Sequence, residues 1–328
     1  MTVLITGVAG FIGSHVAIAL IERGERVVGI DNLNDYYDPK LKEARLERIR
    51  AMAPEGSFTF LKRDIGTRDC FDGLEGEGID RIVHLAAQAG VRYSLVNPHA
   101  YIETNVTGHL NVLEFCRSMA GGVRHLVYAS SSSVYGGNTK LPFSVDDPVD
   151  HPISLYAASK RMDELMSHTY AHLFRIPSTG LRFFTVYGPW GRPDMAAYIF
   201  TRQILAGDAI SVFNQGNMSR DFTYIDDIVR GVIACLDGAP EDNEHDAPHR
   251  VYNIGNNKPE PLMRMIELIE RATNRKAELH MMPMQPGDVH ATFADIEAIQ
   301  QDHGFDPSVP IDVGIPRFVQ WYREYHGL

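Results

Sequence analysis

Tyr156 and Lys160 stand four residues apart in a stretch, 155–174, whose spacing predicts one long helix. Residues at i and i+4 share a helix face. The pair reads either as a packed tyrosine beside a solvated lysine or as an acid/base couple. A free phenol has a pKa of about 10, and bringing it near 7 takes ~4 kcal/mol of differential stabilisation. An ammonium one turn away supplies part of that, and a second positive charge nearby would supply the rest. Twenty-five residues before Tyr156, the run Ser130-Ser131-Ser132-Ser133 follows an apolar stretch, 123–129, that reads as a strand. The carboxyl end of a strand in an open α/β sheet is where ligands sit. The four hydroxyls are therefore expected to face a bound group, the alternative being a plain loop.

These residues need a scaffold, and the N-terminus suggests one. Val3-Leu4-Ile5 reads as a buried strand, Gly7, Gly10 and Gly13 follow at once, and Phe11 to Arg23 has helical spacing. A second strand from Glu25 to Ile30 ends in Asp31-Asn32, with the acid 18 positions after Gly13. Strand, glycine turn and helix suit a pyrophosphate, because glycine lets the backbone approach it and the helix start, here Phe11 and Ile12, offers free N–H groups. The bland reading is a tight turn that binds nothing. Asp31 would accept hydrogen bonds from the ribose hydroxyls and repel a 2′-phosphate, so the expected cofactor is NAD. Its oxidised nicotinamide would bring the second positive charge to Tyr156.

The remaining elements follow in alternation. A charged helix spans 39–52, a strand 57–61 ends in Arg63-Asp64-Ile65, and a fourth strand runs over 81–87. Asp64 either meets the adenine amino group or is a solvated strand end. Ile65 and Leu85-Ala86-Ala87 are assigned to the cofactor wall, since small side chains at the strand tip allow close approach. Arg92 is the sole full charge of the loop 88–93. Asn105 lies inside a helix expected over 98–119, either exposed or bonded across the sheet, and is also counted with the cofactor site. After Val186 the elements shorten: helix 195–207, strands 210–213 and 220–224, then 225–236 and 251–254 returning to the first sheet. Helices are expected at 261–273, 295–299 and from Val313. The fold class is α/β, a Rossmann-type doubly wound parallel sheet with a smaller interleaved α/β substrate domain. The expected division is 1–182 with 225–255 for the cofactor and 183–224 with 256–328 for the substrate.

A net charge of −11 argues against nonspecific binding to nucleic acid or to acidic membrane. Cys70, Cys116 and Cys235 form no close pair and read as buried thiols of a reducing compartment. No apolar run approaches the ~18–20 residues of a membrane span, and the first strand starts directly after Met1, so the cytoplasm is expected. His245 and His249 have H-x-x-x-H spacing without helix context or a third ligand, so no metal is expected.

GVAGFIG, VHLAAQAGVRYS, ASSSSVYG, YAASK, RFFTVYGPWGRPDMA, RDFTYIDDIV and NIGN occur in the order and approximate spacing of the extended short-chain dehydrogenase/reductase family. Through DNLNDYYD, the Arg92 loop and GPWGRPDMA the chain resembles in particular its UDP-glucuronate 4-epimerases. The resemblance implies a tightly held NAD that takes a hydride from C4 of a UDP-sugar and returns it to the opposite face. It implies Tyr156 as the proton carrier, Lys160 as the group that tunes it and bonds the nicotinamide ribose, and Ser131 as a hydrogen-bond partner of the C4 oxygen. Related dehydratases carry Asp-Glu before Val-Tyr-Gly, and decarboxylases tend to carry Glu at the position of Ser133. Serine at both positions favours epimerisation.

The same resemblance assigns Ser132 and Thr185 to the sugar carboxylate, and Arg192 either to the carboxylate or to fixing the nearby loop. UDP is assigned to Arg220, Phe213 and Asp288, with Arg92 also on the substrate side. Thr185 could instead be a plain strand residue, Arg192 a turn residue and Arg220 a surface charge. A homodimer through 101–117 and 155–173 is implied as well. Alternatives are a UDP-glucose/galactose epimerase or a UDP-glucuronate decarboxylase on the same fold, and, in another class, an inactive NAD-binding regulator.

Overall fold

A computed structural model of the chain describes residues 1–119, 121–243, 245–285 and 289–328. Strand β1 (Thr2–Thr6) turns Val3 and Ile5 to one hydrophobic cluster and Leu4 to the other, all three fully buried. A strand apolar on both faces must lie inside a sheet covered on both sides. Helix α1 (Phe11–Glu22), β2 (Arg26–Asp31), α2 (Pro39–Met52), β3 (Phe58–Lys62) and β4 (Ile79–His84) follow. β4 stops at His84, so Leu85-Ala86-Ala87 is extended chain beyond the sheet.

The single helix expected over 98–119 is divided. α3 (Pro98–Tyr101) passes into a widened π-helical turn at Ile102–Thr107 before α4 (Gly108–Ser118). The widened turn carries Asn105, which is buried and bonded across to Gln88 and Ser159. Such turns arise where a side-chain requirement interrupts the regular ladder. β5 (His125–Ser131), α5 (Leu155–Phe174) and β6 (Ser178–Phe183) complete the first run. α5 begins where Ser154 Oγ accepts from Ala157 N at 3.1 Å, an N-cap that fixes Tyr156 in the first turn.

The shorter elements are β7 (Thr185–Tyr187), α6 (Ala196–Ala206), β8 (Ile210–Val212) and β9 (Ser219–Tyr224). α7 (Ile225–Asp237) and β10 (His249–Ile254) come next, then β11 (Pro259–Pro261) and α8 (Leu262–Thr273). β12 (Leu279–Met281), α9 (Glu297–His303) and α10 (Ile311–His326) end the chain. Phe213 falls outside the strand expected for it: Phe213–Gly216 is a tight turn in which Asn214 and Gln215 are left-handed, φ 49° and 53°.

Among the described residues, seven strands form one sheet in the order β10-β6-β5-β4-β1-β2-β3, every pair parallel. α1 and α7 cover one face and α4 the other. The fold is therefore a Rossmann-type doubly wound α/β sheet, with β10 supplied by the returning chain. The order reverses between β1 and β4, which opens a crevice at their carboxyl ends. Beside it lie β11-β9-β7 and the pair β12-β8. No helix among the described residues is long and apolar enough to cross a membrane.

Candidate active site

The crevice is a cavity of about 1030 Å³. Its wall includes Gly7, Gly10, Phe11, Ile12, Gly13, Asp31, Asn32, Ile65, Leu85, Ala86 and Ala87 at one end, and Tyr156, Lys160 and Ser131 in the middle. Ser132, Thr185, Arg192, Arg92, Phe213 and Arg220 complete it. Residues from strand ends, loops and helix α5, far apart in the chain, thus share one space. Two expected members are not on this wall. Asp64 is turned to Asn32 Nδ2 (2.9 Å) and Gly66 N (2.8 Å). Asn105 spends its amide on Gln88 N (2.8 Å), Gln88 O (3.1 Å) and Ser159 Oγ (2.9 Å), so it holds the β4 loop against α5 rather than reaching the cavity. Asp288 lies outside the described residues.

At the glycine end the geometry adds a reason for the glycines. Gly7 has φ +73°, and a Cβ there would come within 2.7 Å of Ala86 N. A Cβ on Gly13 would come within 2.1 Å of Gly7 O. The glycines also let the turn close on itself and on the end of β4. What this leaves for an anion is the start of α1: no side chain among the described residues caps it, and its first turn holds no acid. Uncapped N–H groups and the helix dipole suit a pyrophosphate. Asp31 accepts from Ala9 N (3.1 Å) through one oxygen and from Leu33 N (2.9 Å) through the other, keeping a lone pair on each for ribose hydroxyls. Burial raises its pKa, with these bonds and Lys42 opposing the rise. These residues fit a dinucleotide.

In the middle, Tyr156 packs edge-on to Tyr101, ring centroids 6.0 Å apart. Lys160 is buried and donates to Ala129 O (3.0 Å) and Asp163 Oδ2 (3.0 Å). The serines do not all face inward as expected. Ser130 Oγ donates downward to Glu164 (2.6 Å), which also receives Arg182 in a two-bond clasp at 2.8 and 3.0 Å. Ser131 Oγ accepts from Ser133 N (3.2 Å) and donates to Ser133 Oγ (3.1 Å), capping the short turn Ser132–Tyr135.

At the far end, the Arg92 guanidinium lies 5.1 Å from the centre of the Phe213 ring. Arg220 donates to Ser219 O (2.9 Å) and His290 O (3.3 Å). Arg192 is clasped by Asp194 at 3.0 and 2.5 Å, and Tyr36 donates to the same carboxylate at 3.2 Å. Burial opposes the Arg192 charge, but Asp194 and the phenols of Tyr156 and Tyr36 outweigh it and raise its pKa. Asp31 and Asp194 are the carboxylates among the described residues on this wall, and both are engaged.

Sequence reasoning missed Tyr36, Lys42 and Asp194 on the wall and Glu164 and Asp163 beneath it. Asp194 sits two residues from Arg192 in the motif already noted, and Asp163 sits at i+3 from Lys160, so both left a signal. Lys42 donates to Asn34 O (2.8 Å) and Oδ1 (2.6 Å), a pairing that spacing alone does not reveal.

The sequence over residues 3–255 matches the model of the NAD dependent epimerase/dehydratase family. UDP-glucuronate 4-epimerase 4 of Arabidopsis thaliana is 46% identical, over 100% of this chain and 76% of its own length. The crystal structure of UDP-glucuronic acid 4-epimerase from Bacillus cereus, in complex with UDP-glucuronic acid and NAD, superposes with a TM-score of 0.89 at 31% identity, covering 99% of this chain and 100% of that one. That of a UDP-glucose 4-epimerase from Thermotoga maritima gives 0.87 at 29%, with 99% and 100% covered. With a glycine turn, an uncapped helix start and a Tyr-Lys pair on one cavity, this chain belongs to the NAD dependent epimerase/dehydratase family.

Proposed function

We propose that the protein is an NAD-dependent isomerase that interconverts UDP-glucuronate and UDP-galacturonate by inverting C4. The reading is supported by the similarity to UDP-glucuronate 4-epimerases. The observation that carries it is chemical. Among the described residues on the cavity wall no carboxylate is left over to eliminate water, while a phenol, an ammonium and a serine turn meet in the middle. NAD, when bound, accepts the hydride from C4 and gives it back. Gly7, Gly10, Phe11, Ile12, Gly13, Asp31, Asn32, Ile65 and Leu85-Ala86-Ala87 would hold it.

Tyr156 takes the C4 hydroxyl proton as that carbon becomes a ketone and returns it to the ketone oxygen afterwards, so protons and electrons balance over the cycle. Lys160 holds a positive charge near the phenol and turns an N–H to the cofactor ribose. Ser131 Oγ, already oriented by Ser133 N, bonds the C4 oxygen. A 4-ketone is β to the C6 carboxylate, and such acids lose carbon dioxide when the breaking bond stands perpendicular to the carbonyl. Ser132, Thr185 and Arg192 would keep the carboxylate out of that alignment, and the Asp194–Tyr36 clasp keeps Arg192 from swinging. Arg220 faces the diphosphate, which a guanidinium can grip through two oxygens, and Arg92 and Phe213 border the UDP.

Incubation with UDP-glucuronate and mass analysis of the product tests this. Unchanged mass with a new C4 stereoisomer supports it, whereas loss of 44 mass units (~44 for carbon dioxide by its formula) sinks it in favour of decarboxylation. Turnover of UDP-glucose alone sinks the substrate. NAD retained with no turnover of either sugar points to a regulator.

Residues 1–182 with 225–255 are read as the cofactor unit and 183–224 with 256–328 as the sugar unit. A cytoplasmic homodimer goes with this reading. α4 packs beside α5, with His109 Nε2 2.8 Å from Ser167 Oγ, and together they leave Leu110, Met162 and Leu165 exposed at 38%, 42% and 52%. An apolar row on paired helices suits a second copy of the same surface. Leu165→Glu should halve the mass measured by light scattering; an unchanged dimer, or a monomeric wild type, would refute the interface.

A further inference from the structure

Lys160 has three N–H bonds. One is spent on Ala129 O and one on Asp163 Oδ2, each at 3.0 Å, which leaves one for the cavity. Asp163 itself does not reach the cavity wall. It lies one helical turn below, fully buried, and its Oδ1 has no hydrogen-bond partner among the described residues. A buried carboxylate is costly unless paired, so its surroundings decide its charge.

Those surroundings are drawn from six elements. On α5 itself, Glu164 is clasped by Arg182 of β6 and also accepts from Arg161 (3.0 Å). From α4, His109 is held neutral by burial, its pKa well below the usual value. From β5, burial drives the Tyr128 phenol well above its usual value, and it shares a hydrogen bond of 2.9 Å with His249 of β10. Burial also lowers His249, to about 4, and His84 of β4, to about 3. Glu164 is thus matched by arginine, and the histidines and the phenol carry no charge near neutrality. Lys160 is the ion pair of Asp163.

We propose that Asp163 is a positioning residue that fixes the Lys160 ammonium from below and, by gaining or losing its own proton, sets how much of that charge acts on Tyr156. The inference rests on Tyr156 as the proton carrier. With Asp163 ionised the pair is neutral overall and the phenol feels a weakened field. With Asp163 protonated the full ammonium charge acts. Burial pushes the Asp163 carboxyl up to about 7 against the pull of Lys160, so the change falls near neutral pH.

The test uses the NAD-loaded protein and its Asp163→Asn variant, which keeps the shape and an acceptor for Lys160 but cannot ionise. With UDP-glucuronate, the acid limb of kcat should move to lower pH by on the order of one unit, with KM unchanged. A limb that stays in place, or kcat and KM that worsen alike at every pH, overturns the proposal and leaves Asp163 a packing residue. Carbon-13 NMR titration of the Asp163 carboxyl in the unaltered protein gives a second reading that needs no variant to fold. A midpoint near neutrality supports the proposal, and one at the ordinary value of about 4 overturns it. Tyr156→Phe is the control: if that variant still turns over, the failure lies with the proton carrier and not with Asp163.

Discussion

On the cofactor side of the cavity the wall is largely backbone: the glycine turn, the uncapped start of α1 and Leu85-Ala86-Ala87, all resting on strands buried on both faces. On the sugar side it is side chain: Arg92 against Phe213, Arg192 clasped by Asp194 and Tyr36, Arg220 on two carbonyls, carried by two loops, the strand β9 and a turn with two left-handed residues. A backbone wall recognises what dinucleotides have in common, a diphosphate and a flat ring. A side-chain wall can be rewritten residue by residue without disturbing the sheet, which suits the half that chooses the sugar.

The contrast can be broken first where the halves meet. Tyr156→Phe should lower kcat about a thousandfold, roughly 4 kcal/mol, while NAD remains bound; turnover within tenfold of the unaltered protein, measured by product formation, would remove the phenol from the mechanism. A second effect belongs to the cofactor half. Burial holds His15 and His84 neutral, both at about 3, whereas the unfolded chain protonates them near the ordinary value of about 6.5. Their contribution is whole above that value and is lost as pH falls toward the folded one. Acidification from about pH 7 to about pH 5 should therefore cost about 2 kcal/mol per histidine, read from urea midpoints. A flat profile would mean that this half opens to water before it unfolds.

On the sugar side, Arg220→Gln should raise KM for the UDP-sugar roughly tenfold or more, as expected for losing a charged hydrogen bond, with kcat and NAD content nearly unchanged. An equal loss in kcat would tie this residue to the reacting carbon. The smallest effect sharpens the contrast by control: Lys276 pairs with Glu270 at 2.7 Å but is 88% exposed, so Lys276→Ala should change stability by less than about 0.5 kcal/mol. A larger change would show that surface charge, not the buried clasps, holds this half.

The same contrast explains what could be read in advance. Strand, glycine turn and helix announce themselves because each is a local pattern, and most of the sheet follows from their alternation, whereas β6 (Ser178–Phe183) was not read as a strand. Tyr156 and Lys160 were legible because a helix converts spacing into adjacency. Asn105 was legible only in part: that it would be bonded rather than exposed was one of two readings, but nothing local says that its partner is Gln88, 17 residues earlier, or that the helix widens around it. Ser130 was misread for a related reason: its partner Glu164 sits 34 residues on, and the direction of a strand side chain at the sheet edge decides whether it serves the cavity or the core. Asp163 lay in plain view at i+3 from Lys160, yet its significance comes from total burial, which the sequence around it does not declare.

Phe184 alone separates β6 from β7, and its N–H is tied to Ile254 O at 3.1 Å. Asn253, one residue earlier in β10, reaches Phe143 O (2.7 Å) and Asp295 O (3.0 Å). The link into β7 and the loops at Phe143 and Asp295 are therefore tied to the end of β10 at the floor of the cavity. If hydride leaves one face of a sugar carbon and comes back to the other, while its carrier lies along the strand ends, the ring has to turn over inside the cavity. The roominess of the chamber is then part of the reaction, and side chains that narrow it should trap the ketone half-way.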